Sequence, residues 1–334
     1  MKYTVSNIFF IFVFIAGCES WKPRAVGGDD DLMVVASLEN RENLQIIISA
    51  IFNDTLFTPE AEPAYKIKFI DPQDFADIKN HANVIIGAIG MQESNRGVKL
   101  MKKILSRQQY ESAVKGNNHL IFARNVFSIE QNYLIINGPN LEQIMNSVVE
   151  QGPWLRKQFD NLLIKRQSKY LFKTARNKDL EKLIMSRYGW QVDIPWGYEV
   201  IRDSSEIGLF WIGKELPYRW LVIHWEEGLV FSDSLSVREY AFEFPHKYLE
   251  GIQYTNYKFQ INPEEFEHWA AWKVRGLWEH KQEAQGGPFI SYLFYDEKTD
   301  RSYFIHCMIF YPNKDKYLLL RQVDMVAHTF RIRK

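Results

Sequence analysis

Apolar and polar positions along this chain follow two rhythms, and the change between them falls just past the midpoint. In the first half, short apolar runs at 32–36, 65–70 and 84–89 predict strands, separated by helical spacing over 44–52 and 98–114. Asp71-Pro72-Gln73-Asp74 reads as a helix start, with a capping acid, a proline where no donor is needed and an acid in the first turn. Residues 120–127 and 133–136 predict a hairpin. Asn140 caps a long helix with Leu141, Ile144, Met145, Val148 and Val149 at helical spacing. Leu155, Phe159, Leu162 and Leu163 continue the stripe beyond Gly152-Pro153, where the missing backbone donor predicts a kink or break.

From Asn177 a short helix ends at Gly189, and strand signals take over at 198–201, 209–212, 219–225, 257–261, 272–279, 289–295 and 303–311. Helices are expected near 236–249 and 316–330. The fold class expected from this is α+β. An N-terminal layer of alternating strands and helices over 32–175 is followed by an antiparallel-sheet domain over 176–334, with helices on one face.

The first 31 residues follow neither rhythm. Met1 and Lys2 open a short charged start, and 8–15 is an unbroken apolar run leading to Ala16, Gly17 and Cys18. As a helix that run rises only ~12 Å, against a hydrocarbon core of about 30 Å, so it is too short to span a membrane. Ile15-Ala16-Gly17-Cys18 resembles the lipobox of bacterial lipoproteins, with Ile15 where Leu is usual. The resemblance implies that 1–17 is a cleaved signal peptide and that Cys18 is the lipid anchor. It also implies a body held at the cell envelope, facing the periplasm. One acyl chain holds marginally, whereas two or more anchor stably. Residues 18–31, rich in Gly and Pro and ending in Asp29, Asp30 and Asp31, are expected to form a flexible, solvated tether.

Composition narrows the partners. Lys and Arg total 41, as do Asp and Glu, so no global field favours nucleic acid. Of two cysteines, only Cys307 lies in the body, which excludes an internal disulfide; its surroundings over 303–311 are apolar on both parities, as for an inert buried thiol. No nucleophile elbow, zinc-protease helix, phosphate loop or dinucleotide fingerprint is present. No cofactor or metal is therefore expected. Lys165, Lys169, Lys173 and Arg176 recur at helical spacing and are expected to form a solvated face.

Eight of the ten tryptophans lie between Trp190 and Trp278, a density read mainly as core packing. Parity places Trp272, Val274, Gly276 and Trp278 on one face of a strand, with Lys273, Arg275 and Glu279 turned to solvent or an overlying segment. His224 and Glu226, two apart on a strand, share a face. With His280 they make the alternative expectation, an enzyme acting on the cell wall or an envelope glycan.

Arg275-Gly276-Leu277-Trp278, Gly286-Gly287-Pro288-Phe289, Tyr311-Pro312 and the segment 316–322, with the lipobox and Lys22-Pro23, resemble an uncharacterised lipoprotein family of the Bacteroidota. That family is known only as a domain of unknown function; its usual Met before the two glycines is Gln285 here. The resemblance implies an envelope location and carries over no catalytic residue. The leading expectation is a non-enzymatic binding or interaction module. It would meet a protein or glycan of the envelope through Arg275, Trp278 and a turn formed by Gly286, Gly287, Pro288 and Phe289. A structural spacer is the third option.

Overall fold

A computed structural model describes residues 22–58, 60–173 and 175–333, so the lipobox and Cys18 lie outside the described residues. The first unit runs β1 (Asp31–Val35), α1 (Arg41–Ile51), β2 (Thr55–Phe57), β3 (Ala61–Pro63), β4 (Lys66–Ile70), α2 (Phe75–Ile78) and β5 (Asn83–Ile89). It continues with α3 (Arg96–Ile104), α4 (Arg107–Val114), β6 (Leu120–Arg124), β7 (Asn132–Gly138) and α5 (Leu141–Phe172). Its sheet has the order β4-β1-β5-β7-β6, parallel except for the edge strand β6. A parallel sheet is covered on both faces, which is why β5 and β7 are buried along their whole length. Leu32, Val34, Ile85 and Leu134 pack with residues of α1 and α5, while Met33, Val35, Val84 and Ile86 pack with residues of α2 and α3.

Strand order reverses between β1 and β5, and the crevice beyond their C-terminal ends is the usual ligand position of such sheets. Here the chain fills it. The Ser37 hydroxyl donates to Asn95 Oδ1 at 2.8 Å and accepts from the Gly97 N–H at 2.8 Å. Asn95 Nδ2 donates to Asn40 Oδ1 at 3.1 Å, and Asn40 Nδ2 to the Ile89 carbonyl at 3.0 Å. The result is a closed polar plug.

The second unit contains α6 (Lys178–Tyr188), β8 (Trp190–Gln191), β9 (Glu199–Ser204), β10 (Leu209–Lys214), β11 (Tyr218–Glu227) and α7 (Ser234–Tyr248). Then come β12 (Ile252–Tyr254), β13 (Gln260–Phe266), β14 (Trp269–His280), β15 (Gly286–Asp296), β16 (Arg301–Phe310), α8 (Tyr317–Ala327) and β17 (Arg331–Ile332). Eight strands form one antiparallel sheet, ordered β12-β14-β15-β16-β11-β10-β9 with β13 also on β14. The α+β architecture is as the sequence predicts, but helices cover both faces of the sheet rather than one. α6 and α8 cover one face over Leu221, Ile223, Tyr292 and Ile305, and α7 adds a layer on the other, over Val222, Leu293 and Phe304.

Several local expectations are corrected. Pro153 does not break its helix: α5 is continuous over 32 residues. The carbonyl that loses its donor belongs to Val149, which lies on the exposed side of the helix. The segment 98–114 is two helices, because Ser106 forms a reciprocal capping box with Gln109 and starts α4 afresh. Residues 22–31 are not a free tether. Ala25 N donates to the Ile129 carbonyl at 2.9 Å, and Val26 exchanges backbone hydrogen bonds with Asn80 and Ala82. Asp29 is held by Arg166 at 2.5 Å, Asp30 by Lys66 at 3.0 Å and Asp31 by Lys68 at 2.7 Å, so the acidic run is pinned by ion pairs. In the basic stripe, Lys165 and Lys169 meet Glu130, and Arg176 meets Glu181 and Asp193.

The Gly286–Phe289 segment is strand, not turn; the chain reverses earlier, over 281–285. Trp278 lies opposite Gly287, and Gly276 opposite Phe289. The absence of a side chain at Gly287 lets the Trp278 indole pass over β15 and donate to the Ile309 carbonyl of β16 at 3.2 Å. Pro288 brings no N–H to this part of the ladder. A Cβ at Gly287 would sit 2.0 Å from that carbonyl oxygen, and one at Gly276 would sit 2.9 Å from the Phe289 ring. The two motifs are thus two halves of one packing device. On the same face of the sheet, the fully buried His306 is hydrogen-bonded on both sides, Nδ1 to the Ser291 hydroxyl at 2.7 Å and Nε2 to the Tyr254 hydroxyl at 2.9 Å.

Gly287→Ala is expected to lower stability by roughly 1–3 kcal/mol in urea unfolding, and an unchanged midpoint would remove the packing role. His306 gives a pH signature. Burial lowers its pKa from 6.5 to about 3, so below pH 6.5 the unfolded chain takes a proton that the folded chain refuses. The contribution is complete above pH 6.5 and is lost as pH falls towards 3, at roughly 1.4 kcal/mol per unit. The stability gap between the wild type and His306→Gln should therefore narrow over that range; a constant gap would contradict it.

Candidate functional site

The two units meet along α8. Leu320, Val323, Val326 and Ala327 lie in the core against the antiparallel sheet, while Tyr317 and Leu318 pack on the core of the first unit. Lys316, which precedes the helix, offers no side-chain cap. Glu62 on β3 supplies one from the other unit, accepting from the Lys316 N–H at 2.5 Å, the Tyr317 N–H at 3.0 Å and Lys316 Nζ at 3.1 Å. Arg321 then pairs with Asp160 of α5 at 3.0 Å, and Asp160 also accepts from the Tyr65 hydroxyl at 3.1 Å.

Beside this contact is a cleft of about 230 Å³, built by β2, α5, the start of β13, β14, β15 and α8. Its apolar surface comes from Leu56, Phe57, Leu277, Phe289, Ile290 and Leu320. Three aspartates line it, and each is engaged by its own surroundings. Asp54 is paired with Arg156, Asp160 with Arg321 and Tyr65, and Asp324 accepts from the Tyr292 hydroxyl at 2.8 Å. Two lining cations differ. Among the described residues, no carboxylate lies within ion-pair distance of Arg275 or Lys258, and both are exposed. Lys258 Nζ stands 4.3 Å over the Phe57 ring, which joins the two units at the rim. Burial and Asp54 raise the Tyr317 hydroxyl pKa, opposed by Arg321, Arg275 and Arg156. The lining contains no histidine, cysteine or serine. Such a surface favours an anionic group carried on an apolar body.

The residues singled out from sequence divide into groups. Arg275 and Phe289 line the cleft. Trp278, Gly286, Gly287 and Pro288 lie in the paired strands behind it, with Trp278 only 1% exposed. His224 and Glu226 are brought together, with Nε2 to Oε1 at 2.9 Å. The other ring nitrogen faces the Gly208 carbonyl at 2.8 Å, so neither nitrogen is free to take a proton from a substrate. Burial lowers the His224 pKa, opposed by Glu226. Burial raises that of Glu226, but His224 and the Tyr240 and Tyr248 hydroxyls outweigh it and hold the carboxyl below its usual range. His280 is not part of this pair. It lies at the far end of β14, where its Nδ1 accepts from the N–H groups of Gln282 and Glu283. Among the described residues, no three His, Cys, Asp or Glu side chains converge to hold a metal ion.

Asp54 and Lys258 of the cleft carry no sequence motif, whereas Tyr317 and Arg321 fall within the 316–322 segment without having been singled out as site residues. Fold and site together define a two-unit α+β protein with a cleft at the junction. Comparison with known proteins adds no activity. A family model described as Domain of unknown function (DUF8532) matches residues 25–172, and another, Domain of unknown function (DUF4837), matches 177–329. No curated protein matches the sequence. Among solved structures, the chain is similar to the Ran-binding protein Mog1p of Saccharomyces cerevisiae, at 11% identity and a TM-score of 0.32, over 43% of this chain and 90% of that one. It is also similar to LpqN of Mycobacterium tuberculosis, involved in cell envelope biogenesis, at 12% identity and 0.30, over 43% and 83%. A protein of Bacteroides thetaiotaomicron matches at 11% and 0.27, over 44% and 46%. These likenesses carry no argument about the site.

Proposed function

We propose that this protein is an envelope lipoprotein, anchored through Cys18, and that its folded part is a binding module engaging an anionic partner at the cleft between its units. The observation that carries the reading is the contrast within the cleft. Asp54 and Asp160 are paired with arginines and Asp324 accepts from the Tyr292 hydroxyl, while Arg275 and Lys258 stand exposed with no acid within ion-pair distance among the described residues. Unpaired exposed cations beside an apolar floor favour a ligand that brings both a negative charge and apolar area. Among the described residues no helix is long and apolar enough to cross a membrane, so on this reading the lipid carries the anchoring.

An enzyme at His224 and Glu226 is less well supported, because the ring is hydrogen-bonded on both sides and His280 is remote from it.

Crosslinking in the native envelope followed by affinity capture tests the module. Arg275→Glu with Lys258→Glu should reduce recovery of the captured component by about tenfold, as expected when charge complementarity is reversed. Equal recovery would overturn the cleft assignment. The anchor is tested separately: Cys18→Ser should abolish acylation and release the protein from membranes, and acylation that persists would overturn it.

A further inference from the structure

A second cavity, of about 450 Å³, lies between the C-terminal end of α5 and the hairpin of β10 and β11, with Tyr170, Trp196, Tyr198, Lys214 and Arg219 among its walls. It shares no residue with the cleft above. Its base is unusual in its charge. Arg219 has the same parity on β11 as Leu221 and Ile223, both fully buried, and this draws a guanidinium into an apolar face, where it is 7% exposed. Guanidinium groups are rarely buried without a carboxylate.

Here the compensation is incomplete. Nη1 donates to Gln322 Oε1 at 2.9 Å, and Nε is buried with no partner. Gln322 Nε2 passes the chain of hydrogen bonds to Gln167 Oε1 at 2.8 Å, and Gln167 Nε2 passes it to Asp29 Oδ2 at 2.6 Å. An acid thus enters only two glutamines away, and Asp29 is itself held by Arg166 at 2.5 Å. Beside Arg219 lies the Tyr198 hydroxyl, which also has no partner in a residue only 4% exposed. Two polar groups without a partner, carried by residues that line the same cavity and one of them a cation, favour an acceptor from outside. The outer wall is apolar in the opposite sense: Trp196 is 73% exposed and Tyr170 is 63% exposed. Lys214 Nζ stands 5.2 Å over the Trp196 ring, which places the second cation with this outer aromatic wall.

We propose that this cavity binds a small monocarboxylate with a flat apolar body. Its carboxylate accepts from Arg219 and Tyr198, and its body lies against Trp196 and Tyr170. One deep cation and one hydroxyl match one negative charge, and a planar guanidinium suits a carboxylate in two-point contact. A phosphate dianion presents more acceptor oxygens than these two groups can serve. The volume lies within the range of small-molecule sites.

Calorimetric titration of the full chain with phenylacetate, phenylacetamide and inorganic phosphate tests this, with the Trp196 indole N–H followed by NMR. Phenylacetate should bind saturably, one per chain, at least about tenfold tighter than either of the others, and should shift the Trp196 signal. Arg219→Gln should abolish that preference. Because Arg219 is buried, the exposed variant Trp196→Ala gives an independent check, and should weaken phenylacetate by roughly fivefold while leaving the fold intact. Absence of saturable binding, equal binding of the amide, preference for phosphate, or unchanged affinity in Trp196→Ala would each overturn the assignment.

Discussion

Glu62, on a short hairpin of the first unit, accepts the backbone N–H groups that open α8 in the second. A helix start leaves several N–H groups without partners, and a residue beside the helix usually supplies the acceptor. Lys316 has no oxygen to offer, so the cap comes from the other unit, and the buried Lys316 ammonium then pairs with the same carboxylate. Caps of this kind contribute about 0.5–2 kcal/mol. Here the effect is also geometric. Fixing the first turn of α8 to β3 sets which of its residues meet α5, and so places Arg321 on Asp160 and Gln322 on Gln167. Both cavities sit beside α8 or depend on it, one through Tyr317, Leu320 and Asp324, the other through the Gln322 contact to Arg219.

The two short motifs of the second unit have a physical reason that does not require a ligand. Gly287 and Gly276 are the flat positions over which Trp278 and Phe289 lie, and the indole hydrogen bond ties β14 to β16 across β15. Function attaches to the edges of this device. Arg275, three residues before Trp278, emerges on the face that α8 overlies, and Phe289 is among the residues lining the cleft. Packing and binding therefore share adjacent positions on the same strands.

Strand and helix order was legible because it depends on local periodicity, and the parity of β14 correctly separated Trp278 from Arg275. Legibility failed where a distant contact overrode a local signal. Pro153 was tolerated because Val149 faces solvent, and 22–31 was fixed because Arg166, Lys66 and Lys68 came within reach of its aspartates. Half of the cleft was visible as a motif. Asp54, Asp160 and Lys258 have no signature along the chain and reach the cleft by docking of the two units. Arg219 did leave a trace, as a charge at the parity of a strand whose next two members, Leu221 and Ile223, are fully buried.

If Glu62 governs how the units meet, hydrogen exchange on α8 reports it most directly. In the wild type the amides of Lys316 and Tyr317 should be protected, and Glu62→Ala should release them and loosen the Arg321–Asp160 and Gln322–Gln167 contacts together. Faster exchange confined to those two amides, or no change at all, would show that the junction is held by something other than this cap, and the account of the cleft would have to be rebuilt.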